Sequence, residues 1–136
     1  MLITRETDYA LRILRALTDG QRHTMKTLCE AEQVPQQFAY KIIKKLAQGG
    51  LVQNTRGVDG GCQLIGDLRK VSLYDLIALM EDGQQISACM RPGYKCTWKQ
   101  GHNKECQMHR QVARIQKALD AELKSHDLHS MIFGKK

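Results

Sequence analysis

The stretch Pro35-Gln36-Gln37-Phe38-Ala39-Tyr40-Lys41-Ile42-Ile43-Lys44-Lys45-Leu46-Ala47-Gln48-Gly49-Gly50-Leu51-Val52-Gln53-Asn54-Thr55-Arg56-Gly57-Val58-Asp59-Gly60-Gly61-Cys62-Gln63-Leu64-Ile65 decides the fold. Ala39, Ile42, Ile43 and Leu46 recur at helical spacing and form one apolar stripe, while Gln37, Tyr40, Lys41, Lys44 and Gln48 fall on the other face. The spacing predicts a helix from Pro35 to Gln48. Val34 precedes a proline and is pushed out of the α region, and Pro35 suits a helix start. Gly49-Gly50 stops the helix. Leu51–Thr55 then reads as a short strand, Arg56–Gly61 as a glycine-rich turn, and Cys62–Ile65 as the returning strand.

Upstream, residues 4–18 read as a helix, with Thr4 at the N-cap and Glu6 and Asp8 near its positive end. Ala10, Ile13, Leu14 and Leu17 supply its buried stripe, and Gly20 ends it. A short second helix runs from Thr24, its cap, to Ala31, with Leu28 facing the core. Helix, short helix, helix and hairpin, in that order, form a winged helix-turn-helix.

Downstream, Ser72 and Asp75 have capping-box spacing and open a fourth helix, which Leu73, Leu76, Ile77, Leu79 and Met80 carry to Glu81-Asp82-Gly83. A polar, cysteine-bearing loop follows from Gln84 to Glu105. The last helix spans Cys106 to Lys124. Its Met108, Val112, Ile115 and Leu119 form a narrow seam, as in a helix that packs on a partner helix. The expected fold class is mainly α with a small β-hairpin: a winged helix-turn-helix domain plus a long C-terminal dimerisation helix. The expected divisions are 1–83 for the DNA-binding domain, 84–105 for the cysteine loop, 106–124 for the dimerisation helix and 125–136 for a flexible tail.

The 136 residues carry a net charge of +7, which favours a polyanionic partner. No apolar run approaches the roughly 20 residues needed to cross a bilayer. The N-terminus lacks the pattern of a signal peptide, so a reducing cytoplasm is the expected location, and the 5 cysteines read as thiols or ligands rather than disulfides. Residues 33–58 hold Lys41, Lys44, Lys45 and Arg56 and no acidic residue. Glutamine can pair with adenine edges and lysine can reach guanine or phosphate in a major groove. Arg56 at a glycine-rich tip suits a narrow minor groove. The expected partner is double-stranded DNA, and for a homodimer an inverted repeat. A basic module for an acidic protein partner is the rival reading. No phosphate loop, Gly-x-Ser-x-Gly or His-Glu-x2-His motif occurs, so an enzyme is not expected.

Cys89, Cys96 and Cys106 are spaced Cys-x6-Cys-x9-Cys, and His109 follows as Cys-x2-His. Thiolates are soft donors for iron–sulfur clusters and for zinc. Spacing alone leaves a cluster, zinc and redox thiols all open. Arg91, Lys95, Lys99, Lys104 and Arg110 would offset the charge of a thiolate-ligated centre. Trp98 is expected to cover the site, and Cys29 and Cys62 to pack as small apolar residues.

Thr4-Arg5-Glu6-Thr7-Asp8-Tyr9-Ala10-Leu11-Arg12, the Gly57-x2-Gly60-Gly61 wing after Arg56, and Val71-Ser72-Leu73-Tyr74-Asp75-Leu76-Ile77 together resemble the Rrf2 family of winged-helix transcription regulators, of IscR/NsrR/RirA-like type. The resemblance runs from Met1 to about Lys124. It implies a homodimeric DNA-binding regulator, expected to repress, that senses redox state, nitric oxide or iron–sulfur status. It implies an iron–sulfur cluster, 2Fe-2S or 4Fe-4S, held by Cys89, Cys96 and Cys106. The implied fourth ligand is Asp8 from the partner's first helix in one branch of the family and His109 in another. It also implies that Gln36, Gln37, Tyr40, Lys41 and Lys44 approach the major groove and Arg56 the minor groove. The alternative retains the DNA-binding fold with zinc or a thiol switch as sensor.

Overall fold

The structure, a computed structural model, describes residues 2–134. Helix α1 (Arg5–Ala16) buries Ala10, Ile13 and Leu14, and a 3-10 turn continues it through Leu17 to Gly20. Thr4 takes the N-cap position, but its hydroxyl donates to the Glu81 carboxylate instead of capping the helix. Helix α2 (Met25–Glu32) is capped by Thr24, whose hydroxyl oxygen accepts the Thr27 N–H at 3.2 Å. Helix α3 (Gln36–Gln48) starts one residue after the proline and buries Ala39, Ile42, Ile43 and Leu46, the stripe read from its spacing.

Strands β1 (Val52–Thr55) and β2 (Gly61–Leu64) pair antiparallel, with Val52 opposite Leu64 and Thr55 opposite Gly61. The linker before α2 also pairs with β2: the His23 N–H donates to the Cys62 carbonyl at 2.9 Å, and the Cys62 N–H to the His23 carbonyl at 2.7 Å. The hairpin is therefore tied to the helix-turn-helix along one edge. Residue 61 must be glycine for this, since a Cβ there would lie 2.6 Å from the His23 carbonyl oxygen.

Helix α4 (Leu73–Met80) opens on the expected Ser72–Asp75 capping box, closed in both directions. Leu76 and Met80 join the central core with α1, α2 and α3, while Leu73 and Ile77 turn to a second cluster with Leu123. Each fully buried leucine or isoleucine contributes about 1.5–3 kcal/mol by leaving water. The segment after α4 contains a 3-10 turn at Ala88–Met90 and helix α5 (Thr97–His102), so it is not wholly loop.

Helix α6 (Gln107–Lys124) divides the expected seam. Leu119 and Leu123 pack on α4 within the chain, whereas Met108 and Ile115 are 77% and 58% exposed. The expected flexible tail is corrected over its described part. Leu128–Phe133 forms helix α7, capped by Asp127, and Leu128 is fully buried in the central core. The Leu73 N–H donates to the His126 carbonyl and the Leu128 N–H to the Val71 carbonyl, each at 2.8 Å. One apolar residue placed opposite the start of α4 thus anchors the tail. Residues 135–136 of that expected tail lie outside the described residues.

Candidate nucleic-acid interface and cysteine segment

The polar face of α3 points outward. Gln36, Gln37, Tyr40, Lys41 and Lys44 are all exposed, as is Arg56 on the wing. Tyr40, Lys44, Ala47 and Gln48 of α3 share a cleft of about 570 Å³ with Asn54 and Arg56 of the hairpin. The fold therefore brings Tyr40, Lys44 and Arg56 to one concave surface. Gln36 and Gln37 lie nearer the start of α3 and do not line the cleft. The Gln36 amide approaches the Tyr40 hydroxyl at 3.5 Å. Asn54 was missed from sequence. It lies two residues after the buried Val52 on a four-residue strand, so the strand period puts it on the inward face and gives no sign that it is exposed beside α3.

The wing tip has a defined shape. Gly57 adopts φ +110°, and a Cβ on Gly60 would lie 2.2 Å from the Thr55 carbonyl oxygen. Larger residues would force the turn open beside Arg56. Arg22 donates to the Asp59 carbonyl at 2.7 Å and so clasps the tip from the linker before α2.

The four cations between residues 33 and 58 do not all serve this surface. Lys45 is turned inward: its Nζ lies 2.8 Å from Glu6 Oε1 and 2.7 Å from the Met80 carbonyl oxygen. Lys41 remains exposed but lies 3.7 Å from the same Glu6 oxygen. No ion pair involves Lys44 or Arg56 among the described residues. Those two cations are free to meet phosphate.

The three late cysteines each begin or occupy a helical turn. Cys89 lies in the Ala88–Met90 turn with the Ser87 hydroxyl 3.2 Å from its sulfur. Cys96 is the N-cap residue of α5 and Cys106 that of α6, where its sulfur accepts the His109 N–H at 3.4 Å. All 3 are free and half-buried. Three cysteine sulfurs are soft donors of the kind that iron–sulfur clusters and zinc take. The donor chemistry thus fits a soft metal centre. The donors are not yet gathered in the single chain: no three of His, Cys, Asp or Glu among the described residues form a group that could hold a metal ion.

The implied fourth donors lie on different helices, Asp8 on α1 and His109 on α6. Asp8 pairs with Arg12 at 3.0 Å, and Arg12 also lies over the Tyr9 ring. His109 is exposed on the first turn of α6. Trp98, expected to cover the cysteines, instead stacks on His102 with ring centroids 4.5 Å apart, and the His102 Nδ1 lies 2.8 Å from the Trp98 carbonyl oxygen. Their spacing of four along α5 favours this local pair. Cys62 is buried, which pushes its thiol up to about 11, and burial also raises Cys29. Both pack against the core.

Comparison with known proteins accords with this geometry. The Rrf2 family, described as iron-dependent transcriptional regulators, matches residues 3–133. The chain belongs to the Rrf2 family. It is 30% identical over 95 residues to protein aau3 of Rhizobium meliloti, covering 68% of this chain and 62% of that protein. It is also 30% identical over 92 residues to the transcriptional regulator NsrR of Bacillus subtilis, covering 65% of this chain and 63% of NsrR. The matched region thus spans less than two thirds of these two relatives. In fold it resembles CymR, the global cysteine regulator of B. subtilis, with a TM-score of 0.73, 20% identity and 98% of both chains covered. It resembles T. potens IscR with a TM-score of 0.69 at 18% identity, over 95% of this chain and 84% of that one. The family and NsrR are described as transcriptional regulators. No helix among the described residues is long and apolar enough to cross a membrane.

Proposed function

We propose that the chain is a DNA-binding transcription regulator that grips duplex DNA with α3 and the wing and senses through its late cysteines. The observation that carries this is the shared cleft, where Tyr40, Lys44 and Gln48 of the helix face Asn54 and Arg56 of the hairpin. In this reading Gln36, Gln37, Tyr40 and Lys44 meet the major groove, with Lys44 against a flanking phosphate, Arg56 enters the adjacent minor groove between its phosphates, and Lys41 leaves Glu6 for a phosphate. Phosphate contacts supply most of the affinity and make it steeply salt-dependent. Two copies joined along the exposed Met108 and Ile115 of α6 would present two such surfaces to an inverted repeat.

Cys89, Cys96 and Cys106 would hold an iron–sulfur cluster, with the partner's Asp8 or this chain's His109 as the fourth donor. When bound, the cluster supplies a centre whose charge and integrity respond to redox state, nitric oxide or iron supply. The chain's own residues do the rest. Lys95, Lys99 and Lys104 surround Cys96 in a cavity of about 540 Å³ and offset negative charge there. Arg12 neutralises Asp8 until a ligand role draws that carboxylate away. Repression is the expected outcome of DNA binding.

The test is anaerobic reconstitution, followed by duplex binding with and without the metal centre and by iron and sulfide counts. Distinct affinities in the two states support the sensing role, and equal affinities remove it. A colourless protein with stoichiometric zinc would replace the cluster with zinc. Failure to bind any duplex would favour the rival reading, an acidic protein partner.

A further inference from the structure

The end of α4 is held from two sides. Lys45 of α3 donates to the Met80 carbonyl at 2.7 Å and to Glu6 of α1 at 2.8 Å. The next residue, Glu81, accepts from Thr4 and also from Thr7, the latter at 3.1 Å. Thr7 is fully buried and Lys45 is mostly so, which places these bonds partly out of water. Three helices therefore meet at Met80-Glu81, the point where the chain leaves for the cysteine segment.

The beginning of that segment is fixed just beyond this corner. The Gln84 side chain donates to the Tyr74 carbonyl at 3.3 Å. Gln116 of α6 accepts the Ile86 N–H at 2.8 Å and donates to the Gln84 carbonyl at 3.1 Å. Cys89 follows three residues later, and Cys106 begins α6 itself. Both ends of the segment are thus referenced to α6, and its root is referenced to α3 by the core packing of Leu76 and Met80 and by one polar link, the Lys45 bond to the Met80 carbonyl.

We propose that Lys45 is a positioning residue that couples the cysteine segment to the reading helix. A rearrangement at Cys89, Cys96 and Cys106 shifts the root at Gln84–Ile86. The shift moves the Met80 carbonyl and loosens or re-aims α3 through Lys45. The consequence for DNA rests on the function proposed above; the mechanical joint does not. Contiguity alone does not establish coupling, so the test measures coupling.

The full chain is compared with its thiols free and after brief capping by iodoacetamide, and amide hydrogen exchange is read across residues 36–48. Capping should accelerate exchange in α3 by about fivefold or more, at the low end of measured couplings. Lys45→Met should give the same α3 exchange in both thiol states, and Lys45→Arg should restore the response. If Lys45→Met does not fold, Glu6→Gln, which weakens the ion pair that holds Lys45 at the Met80 carbonyl, should show the same loss of response. An unresponsive α3 in the wild type, or an undiminished response in the folded variant, overturns the proposal. Duplex binding measured on the same samples separates the two readings. A protein that binds no duplex yet retains the exchange response sinks the proposed function and supports the joint.

Discussion

The Arg22 guanidinium donates to the Asp59 carbonyl at 2.7 Å, joining the linker before α2 to the tip of the wing. The backbone pairing of His23 with Cys62 lies beside it, so this linker sets where the hairpin stands. An exposed bond of this kind contributes about 0.5–1 kcal/mol. Arg22→Met should lower the melting temperature by only about 1–4 °C and weaken duplex binding about threefold by letting Arg56 wander. Fluorescence anisotropy with a labelled duplex checks this. A fall in melting temperature that accounts for the whole loss would assign Arg22 to stability instead.

Lys44 and Lys45 are neighbours in sequence with opposite roles. Lys44 lines the cleft, while Lys45 is held by Glu6 and the Met80 carbonyl. Each lost phosphate contact lowers the steepness of log K against log salt by about 0.9. Lys44→Met should reduce the slope by about that amount. Lys45→Met should leave the slope unchanged.

The thiols should separate by reactivity. Burial raises Cys62 to about 11 and also raises Cys29, whereas the three late cysteines are half-buried at helix starts or in a turn. Alkylation proceeds through the thiolate. Timed labelling near neutral pH, read by mass spectrometry, should modify Cys89, Cys96 and Cys106 first and Cys62 last. Labelling of Cys62 with the first group would contradict the packing described here.

Much of this fold is legible from local sequence, because its signals are local. The α3 stripe, the Ser72–Asp75 cap and the glycine turn after Arg56 depend on residues a few positions apart. The misses depend on distant ones. Lys45 reads as one more cation on a basic helix until Glu6, 39 residues earlier, is seen to receive it. Thr4 reads as a cap until Glu81 takes its hydroxyl. Leu128 reads as part of a tail because its helix packs on α1 and on the turn at Leu68–Lys70, both far away in sequence. Of the candidate site, the helix face and the wing arginine are legible, but their meeting in one cleft is a tertiary fact.

The tail gives a stability prediction. Leu128 is fully buried in the central core, so Leu128→Ala should destabilise the fold by about 2–5 kcal/mol. Denaturant unfolding measures this. A change below about 0.5 kcal/mol, as for an ordinary surface position, would mean that α7 does not dock.

Asp127 adds a pH dependence. The Ser130 N–H, and then the Ser130 hydroxyl, hold its carboxyl below the ordinary value of 3.8. A group depressed in the folded state stabilises above its unfolded value and loses that effect as pH falls through the folded value. The melting-temperature gap between wild type and Asp127→Ala should therefore be constant from about pH 5 to 8 and narrow below about pH 4. A gap that widens on acidification would contradict this cap.

The most direct measurement is duplex affinity as a function of salt for the wild type and for Lys44→Ala combined with Arg56→Ala, the two cations that line the α3–wing cleft. The expected result is a steep linear dependence for the wild type, with the slope of the double variant reduced by about 2 and its melting temperature unchanged. Binding whose salt slope is unaffected by loss of both cations, or no duplex binding by the wild type, would contradict the account.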